Sequence, residues 1–446
     1  MASTSNTTTV DFPPDFAEDK ITSDSNSSLG GQEKPQVEQA IEDGQVDGGK
    51  SETLTALLQV VGAFFLMFNS WGVANTFGAY QTFYEGDLLK GQTPSQISWI
   101  GSIQAFLLLT VGGFITGPIF DAGYIRALVL FGSAAAVFGM MMTSICTEYW
   151  QVILAQGVVT GIGMGCMMLP SVAVMPQYFK TRRAFATGVA ASGSSVGGII
   201  YPTIFHELEP KIGFGWATRV IAFIMLATLM VPIAVMKAKV FPSQRRPLFD
   251  FQVLHKLDYD LFCFGTFFAF MGMYIPFYYV SSFSISHAIV NANLGFYLLT
   301  ILNAASIFGR IIPNFFADKT GALNIMTPWV LFCGIIAYSW TSATSAGQII
   351  VLCIFYGFFS GTLVSIIAPA VVVISPDLSL VGTHMGMNFG FTSLGLLIGN
   401  PVAGILLDQH GYIGPAMWCG TCNVLAGIFI LAARVSKTGP VLMVKA

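Results

Sequence analysis

The stretch YFKTRRAFATGVAASGSSVG, residues 178–197, joins a basic cluster to an apolar run in which glycines recur. The same spacings return 202 residues later, so that Gly188, Gly193 and Gly197 are matched by Gly390, Gly395 and Gly399. A second pair of segments agrees with this repeat. GGFITGPIFDAG at 112–123 and GRIIPNFFADKTG at 309–321 place Asp121 and Asp318 at matching positions. The chain therefore consists of two related halves.

Apolar runs fill almost all of the sequence after residue 52. Of the 446 residues, 54% are hydrophobic and 10% are charged, whereas soluble proteins carry about 25% charged residues. A bilayer core about 30 Å thick requires roughly 20 apolar residues per helix. Windows of that length predict twelve spans, near 56–81, 97–118, 125–146, 150–174, 184–205, 216–236, 259–281, 293–316, 326–345, 347–374, 382–406 and 412–434. We therefore expect an all-α polytopic membrane protein with twelve transmembrane helices in two six-helix pseudo-repeats.

The segments outside these spans are polar. Residues 1–52 carry eleven acids and three lysines, and such a stretch cannot bury enough apolar surface to fold. We expect a disordered cytosolic tail at 1–52 and a first half at 53–236. A cytosolic linker loop at 237–258, a second half at 259–436 and a short cytosolic tail at 437–446 follow.

Lysine and arginine are concentrated on one side of the predicted membrane. Sixteen of the twenty lie in the tails and loops of that side, three lie on the other side, and Arg310 lies within a span. Cytosolic loops carry such an excess of positive charge. Both termini are therefore expected to face the cytosol, and the plasma membrane is the expected location.

The sequence resembles the major facilitator superfamily over residues 53–436, and within it the monocarboxylate-porter branch, particularly its fungal members. The most specific similarity is the stretch 178–197, with an aromatic pair, a basic pair and Ala/Gly spacing into helix five. The superfamily's helix 2–3 loop pattern occurs in the second half within 309–321 and is degenerate in the first, where Ala122 and Gly123 follow Asp121. The resemblance implies two halves that rock about a midplane substrate site.

Several positions depart from the proton-coupled porters of that branch. Those porters open helix one with acid–Gly–Gly–Trp and place a lysine further on, but here 69–72 reads Asn-Ser-Trp-Gly and the lysine position falls near Gly78. They also carry an Asp one turn before the helix-eight Arg, where this chain has Ser306 before Arg310. The helix-four Arg of proton-linked facilitators would fall at Ile153. The resemblance therefore implies the fold but not proton–lactate symport.

Arg310 is the most informative single residue. A charge near a helix centre costs about 2.5–3.5 kcal/mol on insertion scales, so it normally faces a bundle interior or a wet cavity. Asn303 and Ser306 share its face at helical spacing, and an Arg fork binds carboxylates through two hydrogen bonds. We therefore expect an anion site at Arg310. The alternative is that its side chain extends to the cytosolic surface.

Other polar and aromatic residues lie mainly on the first and fourth helices of each half, which the resemblance assigns to the central cavity. Together they describe one cation among neutral hydroxyl, amide and aromatic groups. Such a cavity suits a moderately apolar anion or an oxygen-rich neutral molecule. The candidate substrate-binding residues are Asn69, Tyr80, Gln156, Tyr274, Tyr278, Asn303, Ser306, Arg310, Tyr356 and Asn388.

Charged residues at cytosolic helix ends are candidate gates. An acid there can pair with the basic cluster at 178–183 or with a neighbouring helix terminus in one conformation and release it in the other. The alternative is an ordinary surface charge, whose pairing contributes about 0–1 kcal/mol. The candidate gating residues are Asp121, Arg126, Arg182, Arg183, Asp318 and Lys319. Because small residues let helices approach closely, Gly193, Gly197, Gly395 and Gly399 are the candidate packing positions.

The favoured function is a secondary transporter that moves a small organic solute by alternating access, exporting an organic acid or a polyketide-like secondary metabolite. Uptake or facilitated diffusion of a monocarboxylate or vitamin-like solute remains open, as does a membrane sensor that does not transport. No GxxxxGK[ST] loop occurs, and no paired carboxylates or histidine cluster suggest an enzyme, a metal or a cofactor. The expected partners are the solute and the lipid bilayer, without nucleic acid; a single-span accessory subunit is left open.

Overall fold

The computed structural model describes residues 45–179, 182–239, 248–376 and 380–440, without the side chains of residues 45–53 and Asp121. The described residues from Thr53 onward belong to one compact unit. Most of the two predicted tails therefore lies outside the described residues. The described chain begins with a helix that runs from Gln45 to Asn69.

Helices long and apolar enough to cross a membrane account for most of the compact unit. Eleven such helices occur in the described residues, and the longest, Arg183–Val235, is broken at Gly213, where φ is 79°. A straight helix of that length would measure about 80 Å, more than twice a bilayer core, so it provides two spans. The helices are α1 Leu54–Leu88, α2 Pro94–Phe120, α3 Ile125–Thr143, α4 Tyr149–Tyr178, α5 and α6 at 183–212 and 214–235, α7 Leu257–Ser286, α8 Ala292–Thr320, α9 Ala322–Ser342, α10 Ala346–Ile374, α11 Val381–His410 and α12 Ile413–Thr438. The all-α polytopic prediction is confirmed.

Several helices are irregular. π-Helical turns occur in three helices of the first half, at Tyr84–Leu88, Val111–Ile115 and Ile153–Thr160, and the first of these forms the end of α1. In the second half, α7 is divided at Tyr274, just before Pro276. Membrane helices tolerate such breaks where neighbouring helices and side chains satisfy the freed backbone groups.

The internal repeat is visible in the local caps of α4 and α10. Glu148 and Gln151 form a capping box at the start of α4, and Ser345 and Gln348 form one at the start of α10. A capping box satisfies two backbone N–H groups that the helix itself leaves unpaired. The same local signal therefore starts the fourth helix of each half.

The glycine repeat makes the same helix contact in both halves. A Cβ atom at Gly193 of α5 would overlap the carbonyl oxygen of Phe64 of α1, and one at Gly395 of α11 would overlap that of Phe267 of α7. Gly197 lies one turn further along α5, where a Cβ would be 2.5 Å from the carbonyl oxygen of Phe68. Gly399 is placed in the same way against the backbone of Met271.

The two halves meet along two long seams, α5 against α8 and α2 against α11. Twelve crossings return the chain to its starting side. The start of α1 and the end of α12 therefore lie on the same side, which we call the termini side. The linker between the halves is also on the termini side, and its described part, 248–256, contains one 3-10 turn at Val253–His255.

Candidate transport site

A narrow cavity lies between the two halves. Its walls come from α1, α2, α4 and α5 of the first half and from α7, α10 and α11 of the second. Three aromatic rings contribute to these walls, from Trp71, Phe270 and Phe389. The polar side chains of the lining are the hydroxyls of Thr187 and Ser365. Such walls favour an apolar, ring-containing solute over a sugar or a cation.

An aromatic stack crosses the interface at this cavity. The indole of Trp71 in α1 lies parallel to the ring of Tyr274 in α7, with centroids 5.8 Å apart and an interplanar angle of 13°. Phe270, one turn earlier on α7, meets the same indole edge to face at 6.2 Å. Both Trp71 and Tyr274 are buried. The two halves therefore contact each other through rings that a flat solute could separate.

Arg310 is buried beside this cavity. Its side chain is fully inside the protein, with a relative exposure of 1%. Its Nη1 donates to the carbonyl oxygen of Ala191, 3.1 Å away, and to the hydroxyl of Ser194 on α5. Its Nε has no hydrogen-bond partner among the described residues, and none of the ion pairs found between described residues includes it. In this conformation Arg310 does not extend to a membrane surface.

The guanidinium lies directly behind the cavity wall. Ala191, whose carbonyl oxygen it contacts, lines the cavity, and so does Ser365, which accepts a hydrogen bond from Asn314 at 2.6 Å. A small displacement of α5 from α8 would therefore expose an unpaired cation to the cavity.

Asn303 and Ser306 join Arg310 in one polar row along the α5–α8 seam. Asn75 of α1 donates to Asn303 Oδ1 at 3.3 Å, and Ser306 donates to Ser195 Oγ of α5 at 2.7 Å. All of these side chains are buried. The predicted polar face of α8 thus exists, and in this conformation it is directed at the first half.

The remaining candidates of the first half hold its own helices together. Asn69 bonds to the hydroxyl of Tyr201 at 2.7 Å and to that of Thr228 at 3.0 Å. Gln156 accepts from the hydroxyl of Tyr84 at 2.6 Å, while Tyr80 packs on Phe205 with ring centroids 4.3 Å apart. These side chains do not line the cavity in this conformation.

The second half shows the same division. Tyr356 donates to the carbonyl oxygen of Met273 at 2.8 Å, and Asn388 donates to Thr266 at 2.9 Å. Tyr278 instead contacts the first half, with its ring centroid 5.2 Å from that of Phe77. Sequence reasoning selected polar groups, so it missed the apolar rings of the wall, although Trp71 and Phe270 lie on the first helices of the two halves.

Asp318 closes the termini side of the α5–α8 seam. Its two carboxylate oxygens accept from the backbone N–H groups of Ala184 and Phe185, each at 3.0 Å, in the first turn of α5. A carboxylate at this position satisfies unpaired amide groups and is favoured by the helix dipole, by about 0.3–1 kcal/mol. Asp318 thus contacts a neighbouring helix terminus, one of the two partners the sequence suggested for it.

The other candidate gating residues make local contacts or are exposed. Lys319 lies over the ring of Phe315, 4.9 Å from its centroid, and Arg183 donates to the carbonyl oxygen of Phe179 at 3.2 Å. Arg126 and Arg182 are exposed. The side chain of Asp121 lies outside the described part of the chain.

Contacts between the halves also close the opposite side. The rings of His206 in α5 and Phe296 in α8 stack with centroids 3.9 Å apart, and Ser95 of α2 donates to the carbonyl oxygen of Pro401 in α11 at 3.1 Å. With Asp318 bound on the termini side, described contacts join the two halves on both sides of the cavity. The structure is therefore an occluded conformation of a two-half bundle around a central site.

Comparison with known proteins agrees with this architecture. The family model of the Major Facilitator Superfamily matches residues 54–379. The chain belongs to the Major Facilitator Superfamily. As a member of this family it is a multi-pass membrane transporter rather than an enzyme, and its partners are a small-molecule solute and the lipid bilayer.

Several curated fungal relatives match most of the chain. The MFS-type transporter dbaD of Emericella nidulans is 44% identical over 383 residues, which cover 85% of this chain and 86% of the relative. The agnestins efflux protein AgnL12 of Paecilomyces divaricatus is 37% identical and covers 88% of this chain and 90% of the relative. The aspyridones efflux protein apdF of Emericella nidulans is 34% identical, with 87% and 78% covered.

Proposed function

We propose that this facilitator exports an acidic, polyketide-like secondary metabolite across the plasma membrane. Two of the relatives are named as efflux proteins, for agnestins and for aspyridones. The observation that carries the acidic character of the cargo is Arg310, which is buried without a carboxylate partner among the described residues. The aromatic walls of the cavity support a cargo with flat rings.

The energetics of Arg310 favour an anionic cargo. A buried charge without a counter-ion is destabilising by several kcal/mol, and two neutral acceptors on α5 compensate only part of this cost. A carboxylate or phenolate would provide the missing charge and could accept hydrogen bonds from two guanidinium nitrogens. The occluded carrier therefore already contains, in the Arg310 guanidinium, the cation that an anionic solute would bind.

Alternating access would use the α5–α8 seam as follows. When the halves separate on the termini side, Arg310 loses Ala191 and Ser194 and becomes available to a solute anion. The solute's rings then occupy the space between Trp71 and Tyr274, and closure of the termini side around them leads to release on the opposite side. The free energy of anion binding thereby compensates for the loss of the contacts that Arg310 made with α5.

We further propose that the chain belongs to the monocarboxylate-porter-like branch and has both termini in the cytosol. The stretch 178–197 supports the branch, and the excess of Lys and Arg on the termini side supports the orientation. The sequons at Asn6 and Asn26 then face the cytosol and stay unglycosylated. A mass shift on endoglycosidase treatment that disappears in the Asn6→Gln/Asn26→Gln variant would contradict this orientation.

Flux through sealed proteoliposomes tests the proposed cargo. The panel comprises aromatic carboxylic acids and their methyl esters, with wild type, Arg310→Lys, Arg310→Gln and the control Arg219→Gln. Arg219 carries the same charge but lies near the start of α6, where it donates to Ser144 at 3.0 Å.

We expect wild type and Arg219→Gln to move the acids at least about tenfold faster than the esters, because loss of a charged hydrogen-bond partner costs about 1.5–3 kcal/mol. Arg310→Lys keeps the charge without the fork, so it should retain slow transport, and Arg310→Gln should lose the preference for acids. Equal transport of acid and ester by wild type would contradict the anionic cargo. Binding of the acids without any flux would identify a sensor instead.

A further inference from the structure

The described part of the linker crosses the α2–α11 seam on the termini side. We call residues 248–251 the linker strap. The ring of Phe249 packs on that of Phe114 in α2, with centroids 5.2 Å apart. The next residue, Asp250, contacts α11 instead: its backbone N–H donates to the sulfur of Met387 at 3.4 Å. Two adjacent residues of the strap thus bind different halves of the carrier.

The carboxylate of Asp250 is held by a buried histidine. Its Oδ2 lies 3.1 Å from Nε2 of His384, whose side chain is completely buried in the first turn of α11. The other ring nitrogen of His384 bonds to the hydroxyl of Ser375, and its backbone carbonyl accepts from Tyr259 at 2.6 Å. The hydrogen bond with His384 lowers the pKa of the Asp250 carboxyl, which therefore stays ionised.

Phe114 extends this arrangement into the seam itself. A Cβ atom at Gly390 of α11 would overlap the ring of Phe114, so this ring fits against α11 only because residue 390 has no side chain. The strap covers the exposed side of the same ring through Phe249. The ring of Phe114 thus lies between α11 and the linker.

The internal repeat relates this contact to the one made by Asp318. On the α5–α8 seam, Asp318 binds the backbone of Ala184 and Phe185 in the first turn of α5. The shift of 202 residues that matches α5 to α11 places Phe185 at Met387, the residue that the Asp250 amide contacts. The linker therefore brings an aspartate to the start of α11, as Asp318 lies at the start of α5, although Asp250 contacts side chains of α11 and Asp318 contacts backbone amides.

We propose that the linker strap is the termini-side gate of the α2–α11 seam, with Asp250 and His384 as its latch. Since Phe249 and Asp250 bind different halves, the seam cannot open on this side while both contacts are made. Among the described side chains, the α5–α8 seam is then held closed by a residue of its own helices and the α2–α11 seam by the linker. The proposal concerns the gate alone and requires no knowledge of the solute.

Alkylation of a cavity residue tests the gate without a substrate. The reporter is Ala368→Cys, because Ala368 lines the cavity and is buried in the occluded conformation. The full chain in nanodiscs is treated with a hydrophilic maleimide, and proteins without the reporter measure the reaction of the seven buried native cysteines. The reporter is combined with Asp250→Asn, Asp250→Glu, His384→Gln, Phe249→Ala, Asp318→Asn and the exposed linker control Lys256→Gln.

We expect Phe249→Ala, Asp250→Asn and Asp318→Asn each to raise the alkylation rate about tenfold, since the first removes a ring contact and the other two remove a carboxylate charge that strengthens the hydrogen bonds of the closed state. His384→Gln should raise it by a smaller factor, because an amide can still donate to Asp250. Asp250→Glu and Lys256→Gln should stay near the wild-type rate. Unchanged alkylation in both Asp250→Asn and Phe249→Ala, with Asp318→Asn accelerated, would overturn the strap as a gate. If Asp250→Asn lowers the folded yield, Phe249→Ala, which leaves the latch in place, decides the question alone.

Discussion

The α5–α8 and α2–α11 seams have the same topology but different chemistry. Aligning 309–321 with 112–123 places Gly113 where the second half has Arg310. Arg310 donates across its seam to α5, whereas Gly113 brings two backbones together: a Cβ there would be 2.7 Å from the carbonyl oxygen of Gly386. One seam carries a buried cation and its acceptors, and the other carries a close glycine contact.

This difference separates two tasks in a duplicated fold: packing within each half, and recognition at the seams between the halves. The packing inside each half depends on the shared glycines, which make equivalent contacts in both halves. Recognition chemistry at the seams has no need of symmetry, because the packing inside each half does not depend on it. We therefore expect substitutions at repeated positions inside the halves to act alike and substitutions at the two seams to act differently.

The largest expected effect tests the shared packing. Gly193→Leu and Gly395→Leu should each reduce the folded yield severalfold, because a side chain at either position meets the backbone of α1 or α7 and overpacking costs about 1–3 kcal/mol or more. Size-exclusion chromatography measures the yield. Gly347→Leu is the control, since nothing lies within 4 Å of its Cβ position. A normal folded yield of either Gly193→Leu or Gly395→Leu would contradict the inference that both halves depend on this glycine contact.

A smaller effect should separate the seams. A Cβ at Gly188 would meet the backbone carbonyl of Arg310, which cannot move independently of α8, whereas a Cβ at Gly390 would meet the ring of Phe114, which can rotate. Gly188→Ala should therefore slow transport about tenfold and Gly390→Ala about twofold, in line with a difference of about 1 kcal/mol. Initial rates of flux measure both. Equal loss in the two variants would show that the seams respond alike.

The smallest effect concerns one hydroxyl pair on each seam. Ser306 and Ser195 are both buried, with their hydroxyl oxygens 2.7 Å apart. Ser393 is buried as well, but its partner Thr110, 2.8 Å away, is only half-buried. Ser195→Ala should lower the free energy of unfolding by about 1 kcal/mol and Ser393→Ala by less, because the desolvated partner left behind costs more. Thermal unfolding in detergent measures the loss of stability in both variants. A larger loss in Ser393→Ala than in Ser195→Ala would contradict a greater stabilising contribution of the α5–α8 seam.

Much of the fold could be predicted from the sequence because it depends on local signals. Apolar windows predicted the all-α polytopic fold, which the described helices confirm. The break at Gly213 lies between the expected spans 184–205 and 216–236, and its φ of 79° is a backbone conformation that glycine adopts readily.

The site was harder to predict because a polar residue in a membrane helix has two uses. Asn69, Gln156, Tyr356 and Asn388 bond to other helices of their own half, a use that leaves the same sequence signal as a cavity wall. The role of the linker could not be predicted at all. Nothing in residues 248–251 shows that Phe249 and Asp250 reach different halves, because that depends on tertiary packing.

One measurement distinguishes an anion site at Arg310 from a simple tether between α5 and α8: the unfolding midpoint of wild type and Arg310→Gln, each with and without a saturating aromatic carboxylate. We predict that Arg310→Gln alone unfolds at the same temperature as wild type or a higher one, because it removes an uncompensated buried charge. We also predict that the carboxylate stabilises wild type and leaves the variant unchanged. A lower midpoint for the variant, together with undiminished stabilisation by the carboxylate, would show that Arg310 is a structural tether and that the anion binds elsewhere.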